Sequence, residues 1–149
     1  MADTPSREEM VARAAAHTPA LAARAEEVEK TRVIHPDTVR DLWDTRLWSA
    51  VKPKRYGGLE LDYGVFLDLS DHIGRGCAST AWIYGNLLSH DWMLPMWNAR
   101  AQDEVWKDNL TALIASSLAA TAGPCLIYTS DAADSSLRVD FLRSRTFWP

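Results

Sequence analysis

The chain has 149 residues, 47% of them hydrophobic and 24% charged, with a formal net charge of −4. That length suits one domain with a real core, and mild acidity argues against a phosphate-binding footprint, which needs clustered Lys and Arg. Two cysteines, Cys77 and Cys125, are too few for a disulfide framework, no apolar run approaches a membrane span, and Met1 to Met10 holds no signal-type apolar region, so the expectation is a cytoplasmic protein that binds neither membrane nor nucleic acid. Six of seven tryptophans lie between Trp43 and Trp106.

Residues 6–32 read as a first helix. Ser6 with Glu9 forms a capping-box pattern, and Met10, Ala14, Leu21, Ala25 and Val28 recur at helical intervals. Pro19 is expected to kink or split it. A second helix starts near Pro36, with Val39, Leu42, Trp43 and Leu47 as its apolar stripe. Lys52-Pro53-Lys54-Arg55-Tyr56-Gly57-Gly58 then breaks the period, and its paired glycines allow positive φ or close backbone approach. A third helix runs over about 62–75, ended by Gly74 and Gly76, with Val65, Phe66, Leu69 and Ile73 on one side. A fourth begins at Ser79 or Thr80 and runs to about Met93, and a short helix covers 101–106. Residues 113–118 read as the first strand. The fold class is therefore mostly α with one short strand near the end of the body.

The pattern changes after Pro124. Residues 125–149 carry three acidic and three basic residues and no clear period. The stretch Cys125 to Asp134 resembles a translated sequencing adapter. The expected division is thus a helical domain over 1–124 and a non-native or disordered tail over 125–149. Source codons unrelated to adapter sequence would overturn it.

The histidines are His17, His35, His72 and His90, spaced by 18, 37 and 18, which makes no local metal motif. Cys77 reads as a buried structural thiol. Gly74-Arg75-Gly76 lacks the rest of a dinucleotide fingerprint, and Gly57-Gly58 lacks the Lys-Ser/Thr of a phosphate loop. The fourth helix is more informative. Trp82, Asn86 and His90 stand four residues apart on one drifting face. Trp82 and His90 are roughly 12 Å apart along the axis, enough to line an elongated planar ligand. The plain alternative is a core tryptophan and an interhelical histidine. Ser116 and Ser117 end the expected strand and can bond a ligand or only local backbone. Trp92, Trp97 and Trp106 fit packing between helices.

Lys52-Pro53-x-x-Tyr56-Gly57-Gly58-Leu59-Glu60 resembles the signature loop of the acyl-CoA dehydrogenase-like N-terminal helical domain. Arg75-Gly76-Cys77-Ala78-Ser79-Thr80-Ala81-Trp82 and Leu113-Ile114-Ala115-Ser116-Ser117-Leu118-Ala119 narrow the resemblance to the oxygenase components of two-component flavin-dependent aromatic monooxygenases, the branch of the 4-hydroxyphenylacetate and seco-steroid phenol hydroxylases. The resemblance implies a first helical domain of a larger homotetrameric enzyme. Such an enzyme takes reduced flavin (FMN or FAD) from a separate flavin reductase and uses molecular oxygen, through a hydroperoxyflavin, to hydroxylate a phenol. Carried onto this chain, it puts Trp82 beside flavin and substrate, His90 near the phenol oxygen, and Ser116 in hydrogen-bond reach of the same region. His90 and Ser116 are then the catalytic candidates, and Trp82 and Ser116 the cofactor-binding ones.

The β-domain and C-terminal bundle of that family are not within these residues. The 149-residue chain is therefore expected to bind reduced flavin weakly or not at all, to hydroxylate nothing alone, and to expose apolar faces. Two other readings remain: an acyl-CoA dehydrogenase catalysing α,β-desaturation, and a stand-alone helical interaction module.

Overall fold

The computed structural model describes residues 4–115. Residues 4–113 form one compact unit, and Ile114 and Ala115 fall outside it. Five α-helices account for most of that unit: α1 (Arg7–Thr31), α2 (Pro36–Asp44), α3 (Tyr63–Gly76), α4 (Ala78–Met93) and α5 (Ala99–Trp106). Single 3₁₀ turns cover Leu47–Ser49, Lys54–Tyr56 and Leu94–Met96.

The expected start of α1 is present in atomic detail. Ser6 Oγ accepts the Glu9 N–H at 3.2 Å, and the Glu9 carboxylate accepts the Ser6 N–H at 2.7 Å. The two bonds satisfy donors that a helix start otherwise leaves open. Pro19 does not split the helix, which runs through it to Arg32, where φ is +59°. α1 packs mainly on α3, and α3 on α4. The crossing of α1 and α3 is tight beside Pro19. A Cβ on Gly76 would stand 2.6 Å from Leu21 Cβ and 2.7 Å from the Thr18 carbonyl oxygen. Thr18 Oγ1 donates across the same crossing to the His72 carbonyl at 3.0 Å. Gly76 thus lets α3 end against α1, whereas Gly74 is an ordinary helical residue opposite Ala81 and ends nothing.

α2 stops at Asp44, earlier than its stripe suggests. Leu47 is buried, but from the following 3₁₀ turn, reached through Arg46 at φ +64°. α4 starts at Ala78, straight after the extended Cys77, and α5 starts at Ala99, where Asn98 Oδ1 accepts the Ala101 N–H at 3.0 Å.

The core joins Met10 and Ala14 of α1, Leu69 and Ile73 of α3 and Leu88 of α4, all without measurable exposure. Tyr84 sits among them, its ring 5.1 Å from Trp48 and its hydroxyl donating to the Leu47 carbonyl at 2.9 Å. That bond matters because a buried hydroxyl without a partner costs about 1–3 kcal/mol.

Residues 113–115 of the expected strand carry no regular structure, and no strand occurs among the described residues. A strand needs a neighbour to accept its ladder bonds, and the described residues supply none. The remainder of that segment, including Ser116, and the expected tail at 125–149 lie outside the described residues. Among the described residues, no helix is long and apolar enough to cross a membrane.

Candidate functional site

The loop that carries the family resemblance is built by its two glycines in different ways. Lys54–Tyr56 makes a 3₁₀ turn that ends on Gly57 at φ +79°, a left-handed conformation costly for any residue with a Cβ. Gly58 instead serves close approach: a Cβ there would fall 1.9 Å from the Lys52 carbonyl oxygen. The chain then folds back on itself. Leu59, Glu60 and Leu61 donate their N–H groups to Ser49, Lys52 and Ala50 carbonyls at 2.9, 2.9 and 3.0 Å. Tyr56 anchors the loop to α5: its hydroxyl donates to Asp103 at 2.5 Å and its ring lies 5.1 Å from Trp106. Burial and that bond push the Tyr56 phenol up.

From this loop the Lys52 side chain turns inward. It is 1% exposed, and Nζ donates to the carbonyls of Leu110 at 3.0 Å and Ala112 at 3.1 Å. The rings of Trp43 and Trp106 lie 5.7 and 5.3 Å from Nζ, within cation–π reach. The nearest carboxylate is Asp91 of α4, fully buried, with Oδ2 at 3.8 Å. That separation is an ion pair but too long for a hydrogen bond, and neither Asp91 oxygen has a hydrogen-bond partner. Burial pushes the Asp91 carboxyl up to about 7 against the pull of Lys52. Burial likewise pushes the Lys52 ammonium down, with Asp91 opposing. Sequence reasoning missed this pair, although a signal exists. Thr80, Tyr84, Leu88 and Asp91 form the buried helical stripe of α4, and Asp91 is its one acid.

The opposite side of α4 carries the expected candidates. Trp82 is 77% exposed, Asn86 is exposed and His90 is half-buried, so the three do share an outward face. Trp82 is therefore not a core tryptophan. His90 Nδ1 lies 2.6 Å from the Asn86 carbonyl oxygen. A carbonyl can only accept, so Nδ1 carries the hydrogen and, in the neutral ring, Nε2 is the basic nitrogen. Trp82 borders an open groove of about 500 Å³, between the end of α1 (Val28, Glu29, then Arg32 and Val33) and the start of α4 (Ala78, Ser79, Ile83). Ser79 donates its hydroxyl to the Glu29 carboxylate across the groove floor. His90, two turns further along, does not line it. The structure thus places Trp82 and His90 on one face but not in one cavity, and Ser116 is outside the described residues.

Of the tryptophans assigned to packing, Trp106 is fully buried and Trp92 packs against Tyr63, the rings tilted by 41° with centroids 4.4 Å apart. Trp97 departs from that expectation: it follows the 3₁₀ turn in extended conformation and is 45% exposed. Cys77 is buried and free, and accepts the Thr80 hydroxyl at 3.2 Å. No group of three metal-ligating side chains occurs among the described residues.

A family model described as acyl-CoA dehydrogenase, N-terminal domain, matches residues 5–116. The chain belongs to this family. It is 32% identical over 101 residues to the flavin-dependent monooxygenase oxygenase subunit HsaA of Mycobacterium tuberculosis, a match covering 68% of this chain and 26% of that protein. It is 33% identical over 101 residues to the oxygenase component of p-hydroxyphenylacetate 3-hydroxylase of Acinetobacter baumannii, covering 68% and 24%. A shorter match, 39% identical over 62 residues, joins it to cyclohexane-1-carbonyl-CoA dehydrogenase of Syntrophus aciditrophicus, covering 41% and 16%. The crystal structure of the M. tuberculosis HsaA monooxygenase superposes with a TM-score of 0.72 at 29% identity, over 77% of this chain and 31% of that one. The chain thus spans about a quarter of the length of the curated monooxygenases.

Proposed function

We propose that this chain is the N-terminal part of the oxygenase component of a reduced-flavin-dependent monooxygenase that hydroxylates a phenolic substrate. The observation that carries the reading is the joint likeness to HsaA in sequence and fold across the helical domain. The outward face shared by Trp82 and His90 on α4 supports a role as one wall of such a centre. Trp82 offers an exposed indole face, suited to a planar aromatic ring system. Ser116 is assigned, from the family resemblance, a hydrogen bond to flavin or to the phenol oxygen. Reduced flavin (FMN or FAD), when bound, supplies the electrons that activate molecular oxygen for transfer of one atom to the ring.

The contribution of this chain is to the substrate. His90 takes the phenol proton at Nε2 while Nδ1 stays bonded to the Asn86 carbonyl. The resulting phenolate is richer in electron density at the ortho carbon and meets an electrophilic oxygen more readily. The remaining parts of the centre belong to domains outside this chain, as do the contacts of a homotetramer. A separate reductase supplies the reduced flavin, and the enzyme works in the cytoplasm.

The test is hydroxylation by the full-length oxygenase, given a flavin reductase and a panel of phenols. His90→Asn should lower the rate by roughly 10²–10⁴-fold and flatten its pH profile. An unchanged rate and profile in that variant would remove His90 from the mechanism. A second reading, α,β-desaturation of an acyl-CoA, rests on the 39% match to the cyclohexane-1-carbonyl-CoA dehydrogenase. Acyl-CoA oxidation without phenol hydroxylation by the same enzyme would favour it.

A further inference from the structure

Lys52 makes contacts that stability alone explains poorly. Apolar residues of similar volume often replace a buried ion pair without loss, so such a pair is weak evidence of a stabilising role. What Lys52 supplies instead is direction. One nitrogen holds two carbonyls of a single short segment, Leu110 at 3.0 Å and Ala112 at 3.1 Å, from a loop 58 and 60 residues earlier. Two of the three ammonium hydrogens are thereby committed. The counter-charge, Asp91 at 3.8 Å, is the neighbour of His90 on α4. The rings of Trp43 and Trp106 lie beside it, and Lys52 is 1% exposed. The gripped segment also lies four residues before Ser116.

We propose that Lys52 is a positioning residue, a clamp that fixes the backbone of residues 110–112 beside the helix that bears His90. The chain then leaves the helical domain from one set place. The clamp itself is a property of this fold, while its catalytic consequence rests on the proposed hydroxylase function.

The first test is amide hydrogen exchange on the 149-residue chain. The amides of Thr111 and Ala112 bond within the segment, to Asn109. Lys52→Met should speed their exchange by roughly tenfold or more, while amides of α1 and α3 keep wild-type rates. Unchanged rates at these two amides would overturn the clamp, and so would an increase spread evenly over every helix. Should that variant not fold, the wild-type chain carries the test. Its Lys52 ammonium hydrogens should exchange slowly and show NMR couplings through the hydrogen bonds to the Leu110 and Ala112 carbonyl carbons. An ammonium exchanging as fast as those of surface lysines would overturn the proposal.

The second test uses the full-length oxygenase. Lys52→Met should lower the product formed per reduced flavin consumed while leaving KM for the phenol within about twofold, and Lys52→Arg, which keeps donors and charge, should recover part of the loss. An unchanged ratio in Lys52→Met overturns the catalytic consequence. Failure of the hydroxylase reading looks different: the wild-type enzyme would form no product, with the exchange result unaffected.

Discussion

Asp91→Asn should change how the stability of this domain responds to pH. Asp91 is fully buried, its oxygens lack hydrogen bonds, and burial lifts its carboxyl from the ordinary 3.8 to about 7 despite Lys52 at 3.8 Å. The folded state therefore binds this proton more tightly than the unfolded chain does. The stabilisation is full below the unfolded value near 3.8 and is lost as pH rises through about 7. The gap corresponds to about 4 kcal/mol in all, and roughly 3 kcal/mol of it falls between about pH 4.5 and 7.5. Asparagine has nearly the same shape and no proton to lose. The difference in unfolding free energy between variant and wild type should then shift by roughly 3 kcal/mol in favour of the variant across that interval. Taking the difference cancels the other carboxylates, including Asp41, which the Arg24 hydrogen bond holds below its ordinary range. Urea unfolding at several pH values measures it. A difference constant within about 0.5 kcal/mol would refute the reasoning, since surface substitutions vary by no more than that.

The two loop glycines should separate in the same assay. Gly58→Ala puts a Cβ 1.9 Å from the Lys52 carbonyl oxygen and 2.3 Å from its carbon, both backbone atoms that cannot step aside, and should cost about 2–4 kcal/mol. Gly57→Ala meets no atom within 4 Å and suffers only from its φ of +79°, so its cost should be about 1 kcal/mol. Equal costs would refute the division of labour between them. Trp82→Ala, at a side chain 77% exposed, should leave the unfolding free energy within about 0.5 kcal/mol of wild type. In the full-length oxygenase the same variant should weaken reduced-flavin binding by roughly threefold to tenfold, the worth of an aromatic stack. Unchanged affinity in a flavin titration would release Trp82 from the site.

Trp82, Met96, Leu67 and Val33 are each more than half exposed. They stand on four different segments, and apolar side chains exposed singly are a normal part of a protein surface.

Local chemistry was legible in the chain itself. The Ser6–Glu9 capping box, Pro36 opening α2, and the apolar period of α3 all act over a few residues, so a short window of sequence contains both partners of each interaction. The Gly57-Gly58 pair announced its two uses, positive φ and close approach, though not which glycine served which. The shared face of Trp82, Asn86 and His90 likewise follows from helical spacing alone. Tertiary structure decided the rest. Leu47 reaches the core from a turn rather than from α2, because Arg46 takes a left-handed conformation that no period reveals. Trp82 and Trp97 face outward while Trp48 and Trp106 are buried, and nothing in a tryptophan's own sequence neighbourhood makes that choice. Above all, Lys52 is a charged residue in a loop, and nothing in the loop's own sequence marks it as buried. The approach of residues 91, 110 and 112, dozens of positions away, together with the rings of Trp43 and Trp106, encloses it and gives its charge and hydrogen bonds a place to go.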